Sequence, residues 1–473
     1  MKRFRYALGL MILLITSVIL AGCSSQDEEE GTLVLRVSNW EEYIDEGDWD
    51  EEELIELDDG TEIMGDYSMV EDFEEWYKDT YGIDVKVEYS TFGTNEELYN
   101  QLTIGDVFDL VCPSEYMIMK MMREGMLLPF DNDFYNTDDN NNYYAKGVSP
   151  YIKNVYDELS INGEPLSKYA AGYMWGTLGL VYNPEVISEE EAAHWDLLLN
   201  PDYYKQVTIK DSVRDAYFAA ITYDVYDEIT SKEFIDSPDY RDKLSKVLNR
   251  TDVKTVDEVE AILTAMKENA YAFETDAGKA DMVTGKVLAN EQWSGDAVYT
   301  LDQADEDDVE LCYSVPLEGS NLWFDGWVML KNGIEQDSRK QHAAQAFINF
   351  VSKPENAVRN MYYIGYSSVI SGGDSDVIYN YINWCYGADE EEEDEVIEYP
   401  IGYFFDTQSE DADERYTIVT TPDQERRQLY AQYPSLDVVN RCVVMACFEE
   451  EDNVRINRMW TNVRCFDLKS LFK

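Results

Sequence analysis

From residue 32 to residue 111 the chain alternates β-rich and amphipathic segments in an order that few folds accept. Residues 32–37 are β-rich and read as a first strand. Residues 69–81 place Val70, Phe73 and Trp76 on one helical face, and Gly82 ends that helix. Residues 83–89 alternate as a second strand, 95–102 read as a second helix, and 107–111 form an apolar third strand. Strand–helix–strand–helix–strand predicts a parallel sheet with helices packed on it.

A second α/β series starts near Tyr169. Strands are expected at 179–182, 207–209, 309–315 and 323–330, and helices at 214–225, 256–270, 336–351, 354–363 and 452–464. The acidic stretch 45–59 shows little apolar periodicity, and 386–421, with seven consecutive acids at 389–395, reads as a surface insertion. No internal repeat is visible.

The amino end sets the compartment. Lys2, Arg3 and Arg5 precede an apolar run from Ala7 to Leu20, too short for a membrane span and suited to a secretory signal. It ends in Leu20-Ala21-Gly22-Cys23, which resembles a bacterial lipobox, with Cys23 the acylated residue. Residues 1–22 are therefore expected to be a lipoprotein signal peptide and 23–31 a tether to the outer face of the cell membrane. What remains, about 450 residues, exceeds one compact core and fits two lobes.

With 97 acidic against 37 basic residues, the formal net charge is −60. That balance repels nucleic-acid phosphates and suits cations, although acids spread along an exported chain also serve solubility. Beyond Cys23, Cys112, Cys312, Cys385, Cys442, Cys447 and Cys465 permit either disulfides, in fifteen pairings, or buried thiols. With His194 and His342 the only histidines, a Cys/His zinc site is poorly supported. Neither a Gly-rich phosphate loop nor a Gly-x-Ser-x-Gly elbow occurs, and Glu41-Glu42, being adjacent on a strand end, point apart and make no glycosidase pair. No enzyme, cofactor or metal is expected.

Eight short segments carry more than periodicity. In order they are Asn39-Trp40-Glu41-Glu42-Tyr43, Ser90-Thr91-Phe92 with Asn95 to Tyr99, Asp109 to Tyr116, Tyr173 to Thr177, Asp211-Ser212-Val213-Arg214-Asp215, Trp293 to Ala297, Gly319 to Asp325, and Ile364-Gly365-Tyr366-Ser367. Together and in this order they resemble the spermidine/putrescine-binding proteins of bacterial ABC importers, over most of residues 32–375 and weakly near 433–465. The resemblance implies a type II periplasmic binding protein fold: two α/β lobes, residues 32–174 plus 324–372 and residues 175–323 plus 373–473, with the chain crossing near 174–177 and 321–324. It further implies a monomer that delivers a polyamine to permease subunits of an ABC importer.

The chemistry of such a ligand fits the residues. Ammonium groups on methylene spacers need carboxylates, aromatic walls, and aromatic faces toward the cations. Trp40, Glu42, Tyr43, Ser114, Tyr116, Asp215, Trp293, Trp323, Asp325 and Tyr366 all fall at expected strand ends, helix starts or loops, where an open α/β sheet presents its ligand groups. By resemblance Asp325 is the foremost ammonium-binding carboxylate, Asp215 and Glu42 hold the other nitrogens, and Trp40, Tyr43, Trp293, Trp323 and Tyr366 form the walls. Asp211 also suits a helix N-cap. The chain departs from the family pattern at Glu41, often a hydroxyl residue, at Ser212, a carboxylate elsewhere, and near Met445, where some members place a glutamine. A sugar or another cationic solute on the same fold, or a polyamine-sensing role, are the competing readings.

Overall fold

A computed structural model describes residues 32–335, 337–388, 393 and 395–465. The expected signal peptide, Cys23 and the tether lie outside these residues, as does most of the acidic run 389–395.

The first half of the fold is built from strand β1 (Leu33–Trp40), helix α1 (Met69–Tyr81), β2 (Val85–Phe92), α2 (Asn95–Ile104), β3 (Leu110–Val111) and α3 (Glu115–Arg123). β1 runs parallel to both β2 and β3, as the alternation predicts. Helix α1 is set by a capping box at Ser68 and Glu71 and stopped by Gly82, whose φ of 68° is left-handed. The third strand is shorter than expected; at Asp109, just before it, the backbone still bonds Arg36 and Leu330, while the carboxylate accepts the Arg36 amide at 2.7 Å and pairs with Lys340 at 2.9 Å.

The long strand β4 (Ala170–Tyr182) is buried along all 13 residues. Only its apolar end is legible in the sequence, because Gly172, Gly176 and Gly179 break the pattern. Next come β5 (Val207–Lys210), α4 (Val213–Asp224), α5 (Val253–Asn269), β6 (Ala272–Glu274), β7 (Ala289–Trp293), α6 (Ser294–Glu306), β8 (Cys312–Ser314) and the 11-residue β9 (Ser320–Leu330). Strand β5 lies parallel to β6 and β7. The main path of the sheet is β6-β5-β7-β4-β9-β3-β1-β2, so two parallel sections are joined through the antiparallel pair β4/β9. One end of β4, Leu178–Tyr182, pairs with β7, while its other part pairs with β9.

Two hydrophobic cores follow from this layout. One gathers Leu35, Phe73, Trp175, Trp327 and Phe347, the other Trp195, Tyr217, Leu263 and Met459. The segment 373–473, expected in one lobe, divides between them: Val377 to Cys442 supply side chains to the first core and Val443 to Val463 to the second.

Both acidic segments bury apolar residues, which corrects the surface reading of 386–421. Within 45–59 Trp49, Ile55 and Leu57 are buried, and Trp49 packs on Tyr362 at 4.8 Å between ring centroids. The buried Asp45 is held by Arg359, which also reaches Asp72. In 386–421 the hairpin Ile397–Pro400/Thr417–Thr420 buries Tyr399 and Ile418, and the Phe404 ring stacks on Trp175. Acidic neighbours mask these apolar positions in the sequence. Cys112, Cys312 and Cys442 are buried thiols.

Candidate functional site

Asp325 lies near the middle of β9, where the pairing with β4 slips between Asp325 and Gly326. Such an irregularity re-aims a side chain. The Asp325 backbone bridges to Ser114, the residue before α3. Its carboxylate accepts the Ser114 hydroxyl at 2.7 Å and the Tyr43 hydroxyl at 2.8 Å. Ser114 is fixed in turn by Asn95, which accepts the Ser114 amide and donates to its hydroxyl and to the Tyr116 hydroxyl. Burial pushes the Asp325 carboxyl up to about 6, against the pull of its two hydroxyl donors. No basic side chain among the described residues pairs with it.

Tyr43 reaches this point because Glu42 adopts a left-handed conformation (φ 52°), which turns the chain after β1. Tyr43 goes inward and is 7% exposed, while Glu42 faces solvent and is not gathered with the others. Asn39 and Tyr173 both donate to the Tyr43 carbonyl. The Tyr43 ring meets Tyr366 edge-on at 5.3 Å, and Tyr366 lies 5.5 Å from Trp323. Trp323 is buried, its indole nitrogen donating to the Thr177 carbonyl. Trp40, at the end of β1, packs instead against Phe92 at 4.8 Å.

Tyr366 connects this group to a second carboxylate. Its hydroxyl donates to Asp296 at 3.0 Å, in the first turn of α6. This approach requires glycine at 295, since a Cβ there would fall 2.1 Å from the Tyr366 ring. Gln432 holds the turn from below by donating to the Gly365 carbonyl. Asp296 pairs with the buried Lys210 at 3.0 Å and with Lys279 at 3.4 Å. Burial alone would raise its carboxyl, but the two lysines and Tyr366 hold it below the usual carboxylate range. Lys210 ends β5, and its ammonium also sits 4.2 Å from the centre of the Trp293 ring.

Asp215 is buried on the first turn of α4, and burial raises its carboxyl against Ser212, Trp293, Lys210 and Arg214. Ser212, not Asp211, caps that helix; Asp211 pairs with Arg464 at 2.6 Å. Arg214 stacks over Tyr116 at 4.8 Å and so joins the two sections. Met445 is buried in the second core.

The structure thus gathers Tyr43, Ser114, Trp323, Asp325 and Tyr366 into one cluster, connects Trp293 and Asp215 to it through Lys210, Asp296 and Tyr366, packs Trp40 on Phe92 and leaves Glu42 exposed. Singling out residues one at a time misses Asp296 and Lys210. Asp296 stands in one of the eight motifs, while a lysine after three strand residues carries no distinctive signal. Asp325 and Asp296 are linked through Tyr43 and Tyr366, and Asp215 shares the Trp293 neighbourhood with Lys210. Among the described residues there is no cluster of metal-ligand type.

The chain belongs to the bacterial extracellular solute-binding proteins: the model of that family matches residues 68–378. The spermidine/putrescine-binding periplasmic protein of Salmonella typhimurium is 26% identical over 288 residues, 60% of this chain and 70% of that one. The putrescine-binding periplasmic protein PotF of Escherichia coli is 25% identical over 287 residues, 57% of this chain and 67% of that one. Among solved structures, the spermidine/putrescine ABC transporter substrate-binding protein PotD from Streptococcus pneumoniae aligns with a TM-score of 0.57 at 24% identity, over 91% of this chain and 98% of that one. The TpPotD lipoprotein of Treponema pallidum aligns at 0.55 and 16% identity, over 91% and 99%. The fold is that of a type II periplasmic binding protein. The protein is a solute-binding protein, not an enzyme. No helix of the described residues is long and apolar enough to cross a membrane.

Proposed function

We propose that the chain captures a polyamine, spermidine or putrescine, between its lobes and delivers it to the permease of an ABC importer. The carrying observation is Asp325, a buried carboxylate served by two hydroxyls and no cation, beside the aromatic rings of Tyr43, Tyr366 and Trp323. Burying such a charge without a partner is costly, and an alkylammonium supplies the missing charge while its methylenes lie along the rings. The relatives with polyamine names support the same reading. Ser114, Tyr116, Asp215 and Trp293 complete the contacts, and Trp40, whose buried indole nitrogen has no partner among the described residues, adds a wall at the end of β1. Each ammonium–carboxylate bond contributes about 1.5–3 kcal/mol and each ring contact about 0.5–2, enough for micromolar affinity after the cost of association. Ligand that touches both lobes favours the closed form, which the permease reads. The lobes are residues 32–174 with 324–372 and 175–323 with 373–473, the last segment also lending side chains to the first core. Cys23 carries the lipid that holds a monomer at the membrane.

Calorimetric titration of the chain lacking residues 1–23, which removes none of the described residues, tests this against spermidine, putrescine and a neutral disaccharide. Saturable micromolar binding of an amine that persists at moderate salt is expected. Saturation by the disaccharide alone would move the protein to the sugar-binding reading.

A further inference from the structure

The Lys210 side chain is 1% exposed, and its ammonium lies among the same kinds of group that a cationic ligand would require. It donates to Asp296 at 3.0 Å and to the Thr275 carbonyl at 2.7 Å, and it faces the Trp293 ring at 4.2 Å. A carboxylate, a carbonyl and an aromatic face make a complete seat for an ammonium ion. This seat adjoins the cleft, because the Tyr366 hydroxyl binds the other Asp296 oxygen and the Tyr366 ring touches Tyr43, which holds Asp325.

We propose that Lys210 is a specificity determinant whose ammonium fills one cation seat from within the chain, so that the ligand is a diamine rather than a triamine. The inference rests on the polyamine reading above. Of the buried aspartates Asp215, Asp296 and Asp325, Asp296 is neutralised by Lys210, with Lys279 at 3.4 Å on its other oxygen. Asp325 meets no cation, and Asp215, served by Ser212 and Trp293 with Lys210 and Arg214 nearby, is the second carboxylate, so that two carboxylates take two ammonium groups. The third ammonium of spermidine finds Asp296 occupied and meets the like charge of Lys210 at close range, an unfavourable contact where little water screens it. A side chain so enclosed does not leave its seat without exposing both partners of a buried pair.

The test is titration of the full chain, purified in detergent, with putrescine and with spermidine, for the wild type and for Lys210→Met. The wild type should bind putrescine about tenfold or more tighter than spermidine, and Lys210→Met should raise spermidine affinity by about tenfold or more relative to putrescine. A wild type that binds spermidine as tightly as putrescine overturns the assignment, as does an unchanged ratio in the variant. If neither amine binds the wild type, the polyamine reading itself falls, which is a different result. Should Lys210→Met not fold, a crystal structure of the wild type with putrescine decides. The Lys210 ammonium remaining on Asp296 supports the assignment, and a ligand nitrogen there with Lys210 displaced contradicts it.

Discussion

Four of the five buried aspartates among the described residues show how much depends on what faces them. Asp45 is held by Arg359, Asp109 by Lys340 and Asp296 by Lys210, each at 3.0 Å or less. Asp325 is buried as well but receives the hydroxyls of Ser114 and Tyr43 in place of a cation. The consequence shows in their acidity: Asp296 is held below the usual carboxylate range, while burial pushes Asp325 up to about 6. A protein stabilises its structural charges with resident partners, and a carboxylate left without one is unfavourable in the empty protein and favourable once a cation arrives. The contrast sets carboxylates held by resident cations apart from Asp325, the carboxylate on which the proposed function rests.

The largest effect is expected at a structural pair. Arg359→Ala strips Asp45 of its buried partner and should lower stability by about 3–5 kcal/mol in chemical denaturation. A change under about 1 kcal/mol would show that water reaches Asp45 and that its enclosure is not what matters. The next effect is smaller and concerns Asp325. Its carboxyl is raised by burial, so in the empty protein it gains a proton as pH falls through about 6, and a cationic ligand must displace that proton. Affinity for putrescine should be level above neutral pH and weaken by up to about tenfold per unit below 6, as read by calorimetry across that range. Smallest is Gly295→Ala. The new methyl meets the Tyr366 ring, which is anchored to Asp296 and cannot simply swing away, so affinity should fall by about tenfold with the fold intact.

Much of this is legible in the amino-acid sequence. The alternation of strands and helices predicts β1, α1, β2 and α2 in parallel order, and Trp323-Phe324-Asp325 marks the carboxylate that the fold buries. The rest depends on long-range contacts that no local pattern carries. The pairing of Lys210 with Asp296 joins residues on β5 and α6, and a lysine at a strand end reads as solvated until its partner is known. Glu42 is as suitable as Tyr43 by residue type, and only the left-handed turn at 42 puts one outside and the other inside. The acidic segment 45–59 hides Trp49, Ile55 and Leu57 because their spacing follows neither a helix nor a strand over any length.

The most direct test of the central claim is Asp325→Asn, measured for both stability and binding. The account predicts that the variant melts no lower than the wild type without ligand, since an unpaired buried charge has been removed, and that putrescine affinity falls by about a hundredfold at moderate salt. A variant that melts well below the wild type yet binds putrescine as before would contradict it, and would return Asp325 to the class of Asp45 and Asp109.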